Sequence, residues 1–283
     1  MVLSLIIIVH IISTANVVTS GEMVTGDAFA KDATIEGDLT TLATPDARNG
    51  VDDIDPNEFR DRRSGGGRVV SENVFKKFFP YVVAMYNFNG TYECVGTALT
   101  PRLILTAQHC MRKEDPMYSI RANSRDSWFG GEIHWIERAF TYGTEHMNDI
   151  AVALLKTRIV KDFKVTLLPP NVYVPDGKYV LALGWGKTKD NSWPRNLMMV
   201  SLKVTPKTQC EKEYRGDKWM CTESKDTYTC RGDSGGPILY DGKQVGVISH
   251  GDTNCGSGIP TANVNLKMYW DWIQSLVSNK NYA

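Results

Sequence analysis

The spacing of apolar positions changes twice along this 283-residue chain. Residues 1–12 are almost continuously apolar, through Leu5-Ile6-Ile7-Ile8-Val9 to Ile11-Ile12, and give way at Ser13-Thr14 to small and polar residues. Residues 21–68 carry many Asp, Gly and Thr and few large apolar side chains, a composition that does not support a packed core. From Val69 onward, short apolar runs recur between turn residues. Examples are Tyr81–Tyr86 before Asn87–Gly90, Leu103-Ile104-Leu105, Ile150–Leu155, and Lys178–Leu183. Further on, Pro237–Tyr240 is separated by Asp241-Gly242 from Gln244–Ile248. This spacing predicts an all-β sandwich or barrel. Met268–Leu276 is different: Tyr269, Trp272, Ile273 and Leu276 recur at helical spacing and predict a C-terminal helix.

With 42% hydrophobic residues the chain can bury a substantial core. Its formal net charge is zero, which suggests no nucleic-acid partner. The balance hides an asymmetry, because residues 21–68 hold 11 acidic and 6 basic side chains. An acidic leader therefore precedes a mildly basic body, and its charge reads as a solvated face.

The apolar N-terminus reads as a signal peptide, residues 1–20, cut before Gly21, with cleavage after Ala15 as the alternative. Its first residues lack Lys and Arg, leaving only the α-amino charge. Polar interruptions begin too early for a membrane span. A secreted, extracellular protein with no membrane anchor after signal cleavage is expected. All six cysteines follow this leader, and an even count in a secreted chain favours disulfides, with 15 possible pairings. Neither Cys-x-x-Cys nor His-Glu-x-x-His occurs, so no metal site and no cofactor are expected.

The chemistry concentrates in Cys230-Arg231-Gly232-Asp233-Ser234-Gly235-Gly236-Pro237. A serine hydroxyl needs a base to become a nucleophile and backbone donors to hold the oxyanion it creates. Glycines on both sides permit close approach to the backbone. Of five histidines, His109 stands out, because it ends the apolar run Leu103–Gln108 and is followed by Cys110. Asp149 opens the run Ile150–Leu155, where a carboxylate is costly to bury unless it accepts hydrogen bonds, and an imidazole is a natural donor. The order is His, Asp, Ser. Gly232–Gly236 also fits the nucleophile elbow of α/β-hydrolases, but that fold requires a helix straight after the serine. Here a strand, a glycine turn and another strand follow, and the elbow reading fails.

These segments resemble the chymotrypsin/trypsin family of serine endopeptidases. The resemblance rests on Thr106–Cys110, Asn148–Ala151, Gly184-Trp185-Gly186, Gly232–Pro237, Ser249-His250-Gly251 and Trp270–Ile273, and runs from about Val69 to the end. It implies two packed six-stranded antiparallel β-barrels with a C-terminal helix, a peptidase domain over residues 69–283, and protein or peptide substrates. His109 is implied as general base, Asp149 as its orienter and Ser234 as nucleophile. The N–H groups of Gly232 and Ser234 would form the oxyanion hole. Ser249 matches a position that also hydrogen-bonds the catalytic Asp. Gln108 departs from the usual Ala. The implied disulfides are Cys94–Cys110, Cys210–Cys221 and Cys230–Cys255.

The resemblance also implies a zymogen, with residues 21–68 as an activation propeptide. A trypsin-like protease would cut between Arg68 and Val69, and the new ammonium would pair with Asp233. Ser71 and Glu72 stand where the family usually has two glycines. Arg60-Asp61-Arg62-Arg63 offers a second, convertase-like site. Substrate-binding positions are Tyr228, Thr229, Arg231, Ser249, His250, Gly251 and Thr261. Tyr228 replaces the Asp of trypsin-like pockets, Thr261 replaces a wall glycine, and His250 replaces a Trp, so a non-tryptic preference for small or medium residues is expected. Asn89-Gly90-Thr91 is a glycosylation sequon, and Arg231-Gly232-Asp233 is an integrin-type tripeptide already committed to the oxyanion loop. A monomer is expected, with protein inhibitors as further partners. The alternative is a non-catalytic homologue that binds partners or regulates a cascade, although such proteins commonly lose a triad member and here all are present.

Overall fold

Alternation of apolar runs with turn residues yields thirteen strands among the described residues of this computed structural model, which are 67–112, 117–143, 148–161, 163–223, 227–251 and 255–282. The expected signal peptide, the acidic leader up to residue 66 and the Arg60–Arg63 pattern lie outside them.

In chain order the strands begin with β1 (Arg68–Val69), β2 (Val82–Asn87), β3 (Tyr92–Ala98) and β4 (Leu103–Thr106). β5 (Met117–Ala122), β6 (Glu132–Thr141) and β7 (Ala151–Leu155) complete the first half. The second half holds β8 (Tyr179–Gly184), β9 (Met198–Val204), β10 (Trp219–Glu223), β11 (Pro237–Tyr240), β12 (Lys243–His250) and β13 (Thr261–Asn265). β2 to β7 close into one antiparallel barrel in the order β2-β3-β4-β7-β6-β5. The second ring runs β9-β10-β13-β12-β11-β8 and closes because β8 also pairs with β9. β1 lies outside that ring, paired with β9 at Arg68↔Met199 and Val69↔Met198.

β2, β4 and β7 are buried at every position. Their side chains fill the barrel on one face and meet other elements on the other, which is why these runs are continuously apolar rather than alternating. One core continues across both barrels, joining Ile104, Leu105 and Leu154 with Leu183, Trp185, Val247 and Val264. A buried polar pair, Thr97 Oγ1 donating to Gln244 Oε1 at 2.8 Å, ties β3 to β12. Asp241 and Gly242 both have positive φ, at 48° and 67°, and make the tight turn between β11 and β12.

Three α-helices accompany the barrels: α1 (Glu72–Phe78), α2 (Lys207–Glu213) and α3 (Trp270–Val277), the last preceded by a 3-10 turn at Leu266–Tyr269. Only the last of these was expected from periodicity. α1 and α2 have seven residues each, too few for a helical stripe to register. Local chemistry does mark α1. The Ser71 side chain accepts from the Val74 N–H as an N-cap, and Glu72 pairs with Lys76 one turn on. Disulfides join Cys94 to Cys110, Cys210 to Cys221 and Cys230 to Cys255. No helix among the described residues is long and apolar enough to cross a membrane.

Candidate active site

His109 lies on a 3-10 turn, Gln108–Met111, directly after β4, and the Cys110–Cys94 bridge ties that turn to β3. Asp149 sits just before β7, its neighbour in the first barrel, and is 1% exposed. Its Oδ1 accepts the His109 backbone N–H at 2.8 Å, and its Oδ2 faces His109 Nδ1 at 2.8 Å. An ionised carboxylate only accepts, so Nδ1 carries the proton and the basic lone pair of the neutral ring is on Nε2. The Ser249 hydroxyl also donates to Asp149 Oδ2. Burial alone would push the Asp149 carboxyl up. The hydrogen bonds from His109 and Ser249, with the His109 charge, outweigh it and hold the group below the ordinary carboxylate value.

Ser234 enters from the loop between β10 and β11. Its carbonyl accepts the Val95 N–H at 2.8 Å and lies 3.8 Å from Cys110 Sγ, beside the His109 turn. Gly235 permits this approach: its φ is 82°, and a Cβ there would stand 2.2 Å from both Val95 O and Thr106 Oγ1. Gly232 has φ 97°, and a Cβ would fall 2.5 Å from the Trp193 ring. The Gly232 carbonyl accepts from Tyr92 Oη at 2.6 Å. Tyr92 in turn makes edge contacts with Trp185 and Trp193. Tyr92 and Trp193, which fix the Gly232 loop from outside it, carry no mark in the sequence. Tyr92 reaches Gly232 across 140 positions, and Trp193 is found only through its ring at the Gly232 Cα.

Asp233 turns away from Ser234. Its carboxylate accepts the Gly186 N–H and the Cys230 N–H, each at 2.8 Å. Gly184 and Gly186 make room for it, since a Cβ at either would lie 2.1 Å or 2.4 Å from its side chain. Burial pushes the Asp233 carboxyl up to about 6, with the two backbone donors acting against it. The surface that the residue retains lines a cavity of about 40 Å³ shared with Gly67, Gly184, Gly186 and Met198. No cationic side chain among the described residues pairs with it.

Tyr228, Thr229 and Thr261 line one pocket together with Glu223, and Gly251 lies beside Thr261. Thr229 Oγ1 and Thr261 Oγ1 are 3.4 Å apart, and the nearest atoms to a Cβ on Gly251 would be those of Thr261. Tyr228 packs against Gly256, where a Cβ would meet its ring at 2.4 Å. Arg231 is exposed at the rim, its carbonyl accepting from the Lys187 N–H. His250 keeps different company. Its ring stands edge-on to Trp219 at 5.4 Å and 6.1 Å from His109. Asn89 is exposed in the β2–β3 turn. The Gln108 amide oxygen is buried without a hydrogen-bond partner.

The Trypsin family profile matches residues 66–273. The chain is 28% identical over 224 residues to the mouse protein kallikrein 1-related peptidase-like b4, covering 71% of this chain and 87% of that one. It is 27% identical to trypsin alpha-4 of Lucilia cuprina, covering 71% and 84%. Among solved structures, neuropsin, a serine protease expressed in the limbic system of mouse brain, superposes with a TM-score of 0.63. It is 24% identical and covers 69% of this chain and 93% of its own. The double-barrel topology and a profile match that spans the site from His109 to Ser234 lead to one placement: this chain belongs to the trypsin family of serine proteases.

Proposed function

We propose that this chain is the secreted zymogen of a serine endopeptidase that hydrolyses peptide bonds through an acyl-enzyme. The observation that carries the reading is the double engagement of Asp149 by His109, through the backbone N–H and Nδ1, at 2.8 Å each. It fixes the ring and its tautomer, leaving Nε2 to take the Ser234 proton. In the first step Ser234 Oγ attacks the scissile carbonyl while His109 takes its proton, and Asp149 stabilises the imidazolium. Gly232 N–H and Ser234 N–H hold the oxyanion. His109 then delivers the proton to the leaving amine, and a water attacks the acyl-enzyme by the same route.

Activation follows cleavage between Arg68 and Val69 by a trypsin-like protease. Gly67 lines the same cavity as Asp233, so the scissile bond lies one residue along from it. The cut releases Val69 from its pairing with β9, and its ammonium pairs with the Asp233 carboxylate. A prior cut after Arg63 would shed the acidic leader while leaving Ser64–Arg68 in the way, and that product stays inactive. In the pocket of Tyr228, Thr229 and Thr261, Tyr228 takes the position of the trypsin-like anion and Glu223 is already engaged by Gln209, so small or medium residues are preferred before the scissile bond.

Treatment of the cleaved protein with a fluorophosphonate tests the reading. Labelling at Ser234, absent from the uncut chain and from Ser234→Ala, is the expected result. A cleaved, folded protein that takes no label would instead be a binding homologue.

A further inference from the structure

The outer face of the first barrel carries large apolar side chains that its core does not use. Tyr118, Trp128, Phe129, Ile133 and Trp135 are each 45–63% exposed. In the β5–β6 ladder Trp135 stands opposite Ser119 and Ile133 opposite Arg121, so both lie on one face. The Tyr118 ring meets Trp135 edge-on at 6.2 Å. Arg121 Nη1 donates to the Gly130 carbonyl at 2.5 Å, which ties the loop carrying Trp128 and Phe129 to the same sheet. That loop is held in place. Asp126 Oδ1 accepts the N–H groups of Trp128 and Phe129 at 2.8 Å and 3.0 Å, and the Arg195 guanidinium lies 4.5 Å from the Phe129 ring. An exposed aromatic surface of this kind marks an interaction site. The charges around it are unequal. Its carboxylates are engaged: Asp126 by Arg195 at 2.6 Å, Glu132 by the Val160 N–H at 3.0 Å, and Glu137 by Arg102 at 3.1 Å. Arg121 bonds the Tyr86 hydroxyl and the Gly130 carbonyl, both neutral. Lys156 is exposed where its N–H donates to the Trp135 carbonyl, and its ammonium has no carboxylate partner among the described residues.

We propose that this face docks the chain's own acidic leader, through Val51-Asp52-Asp53-Ile54-Asp55-Pro56-Asn57-Glu58-Phe59. That stretch, which lies outside the described residues, holds four acidic side chains and no basic one, with Val51, Ile54 and Phe59 interspersed. It offers apolar groups to the rings and carboxylates to Arg121 and Lys156. Its place in the chain favours the same partner. The Val70 carbonyl accepts from Arg125 Nη1 at 3.1 Å, and Arg125 stands at the start of the loop that carries Trp128 and Phe129. The leader therefore joins the body beside this face. Arg68 is nine residues beyond Phe59, about 30 Å of extended chain, ample for the acidic stretch to fold back over the loop. The contact deepens the zymogen reading by giving the leader a partner of its own, and it does not depend on catalysis. All six cysteines follow the leader, so after a cut at Arg68 this contact alone would retain it.

The test is photo-crosslinking of the uncut full chain carrying Phe59→p-benzoylphenylalanine, with the products mapped by mass spectrometry. Cross-links are expected within one chain, on the peptides that span Tyr118 to Trp135. Replacing Asp52, Asp53 and Asp55 together by Asn should lower their yield about fivefold or more, and so should 1 M salt. Those substitutions lie in the leader and leave the barrel sequence intact. Trp135→Ala, at an exposed position, should lower the yield from the other side of the contact. Cross-links that fall on other faces, spread evenly over the surface or do not form would overturn the proposal. Cross-links between two chains would overturn it too, because the face would then pair copies. A yield that neither the Asn substitutions nor Trp135→Ala alters would show chance proximity and also overturn it. Failure of fluorophosphonate labelling would remove the catalytic reading and leave this map unchanged.

Discussion

Single residues in this site are specified by what surrounds them rather than by their own chemistry. Gly232 combines a φ of 97° with the Trp193 ring where a Cβ would be. Gly232→Ala must therefore displace the loop that carries the oxyanion N–H. The expected cost is about 1–3 kcal/mol of stability and about 10²-fold in kcat, read by urea unfolding and by steady-state kinetics of the cleaved protein. Asp149→Asn keeps the volume but replaces an oxygen that accepts with a group that donates, so His109 loses its tautomer. A fall of about 10⁴-fold in kcat with nearly unchanged KM is expected. Gln108 behaves in the opposite sense. Its buried amide oxygen has no partner, and Gln108→Ala should stabilise the fold by about 1 kcal/mol in the same unfolding assay.

At the scale of elements, the proposed activation would couple cleavage at β1 to the acidity of Asp233. Asp233 has its carboxyl raised to about 6 in the uncut chain, against an ordinary 3.8. A raised folded value means that the native state holds the proton more tightly than the unfolded one. The associated stability is complete below the unfolded value and is lost as pH rises from about 4 through about 6, by at most about 3 kcal/mol. Urea midpoints of the uncut chain should therefore fall between pH 5 and pH 7.5, and Asp233→Asn should flatten that fall. Under the proposed activation, cleavage after Arg68 would supply an ammonium that stabilises the carboxylate, and the cut protein should then lose this dependence. Stability above pH 8 should then decline as the α-amino group loses its proton. An uncut Arg68→Gln chain that reaches full activity would exclude the activation step.

Across the whole molecule, the barrels act together: the first holds His109 and Asp149, and the second carries Tyr228, Thr229, Thr261, Ser249 and His250. In the proposed reading, substrate preference is set in the second. The facing hydroxyls of Thr229 and Thr261, 3.4 Å apart, leave a narrow pocket, and the one carboxylate among its described lining residues, Glu223, already accepts a hydrogen bond from Gln209 Nε2 at 3.2 Å. An ammonium or guanidinium buried there would be desolvated and would have to compete with Gln209 for Glu223, with Tyr228 rather than a carboxylate at the position of the trypsin-like pocket anion. Matched peptides differing only before the scissile bond should be cleaved faster with Ala, Val, Thr or Leu than with Arg or Lys. Thr261→Gly should improve the larger of these by roughly tenfold in kcat/KM. Faster cleavage after Arg would overturn this view of the pocket.

Much of this was legible in one dimension, for a physical reason. Strands buried on both faces require unbroken apolar runs, tight turns require glycine, and the serine loop requires a fixed glycine pattern. Each of these constraints acts on neighbouring residues and leaves a local signature, so the all-β class, the C-terminal helix and the segments around His109, Asp149 and Ser234 could be read directly. α1 and α2 escaped because two turns bury too little to impose a period. The role of Tyr92 and the placement of His250 escaped for a different reason. Tyr92 reaches Gly232 across the barrel junction, and His250 meets Asp149 through Ser249. These contacts join residues about a hundred positions or more apart, and no local pattern encodes them. The sequence determined which groups were available and how each strand was built. Only closure of the two barrels decided which side chains face Asp149, which glycines must stay bare, and that His250 reaches the Asp149 carboxylate through Ser249.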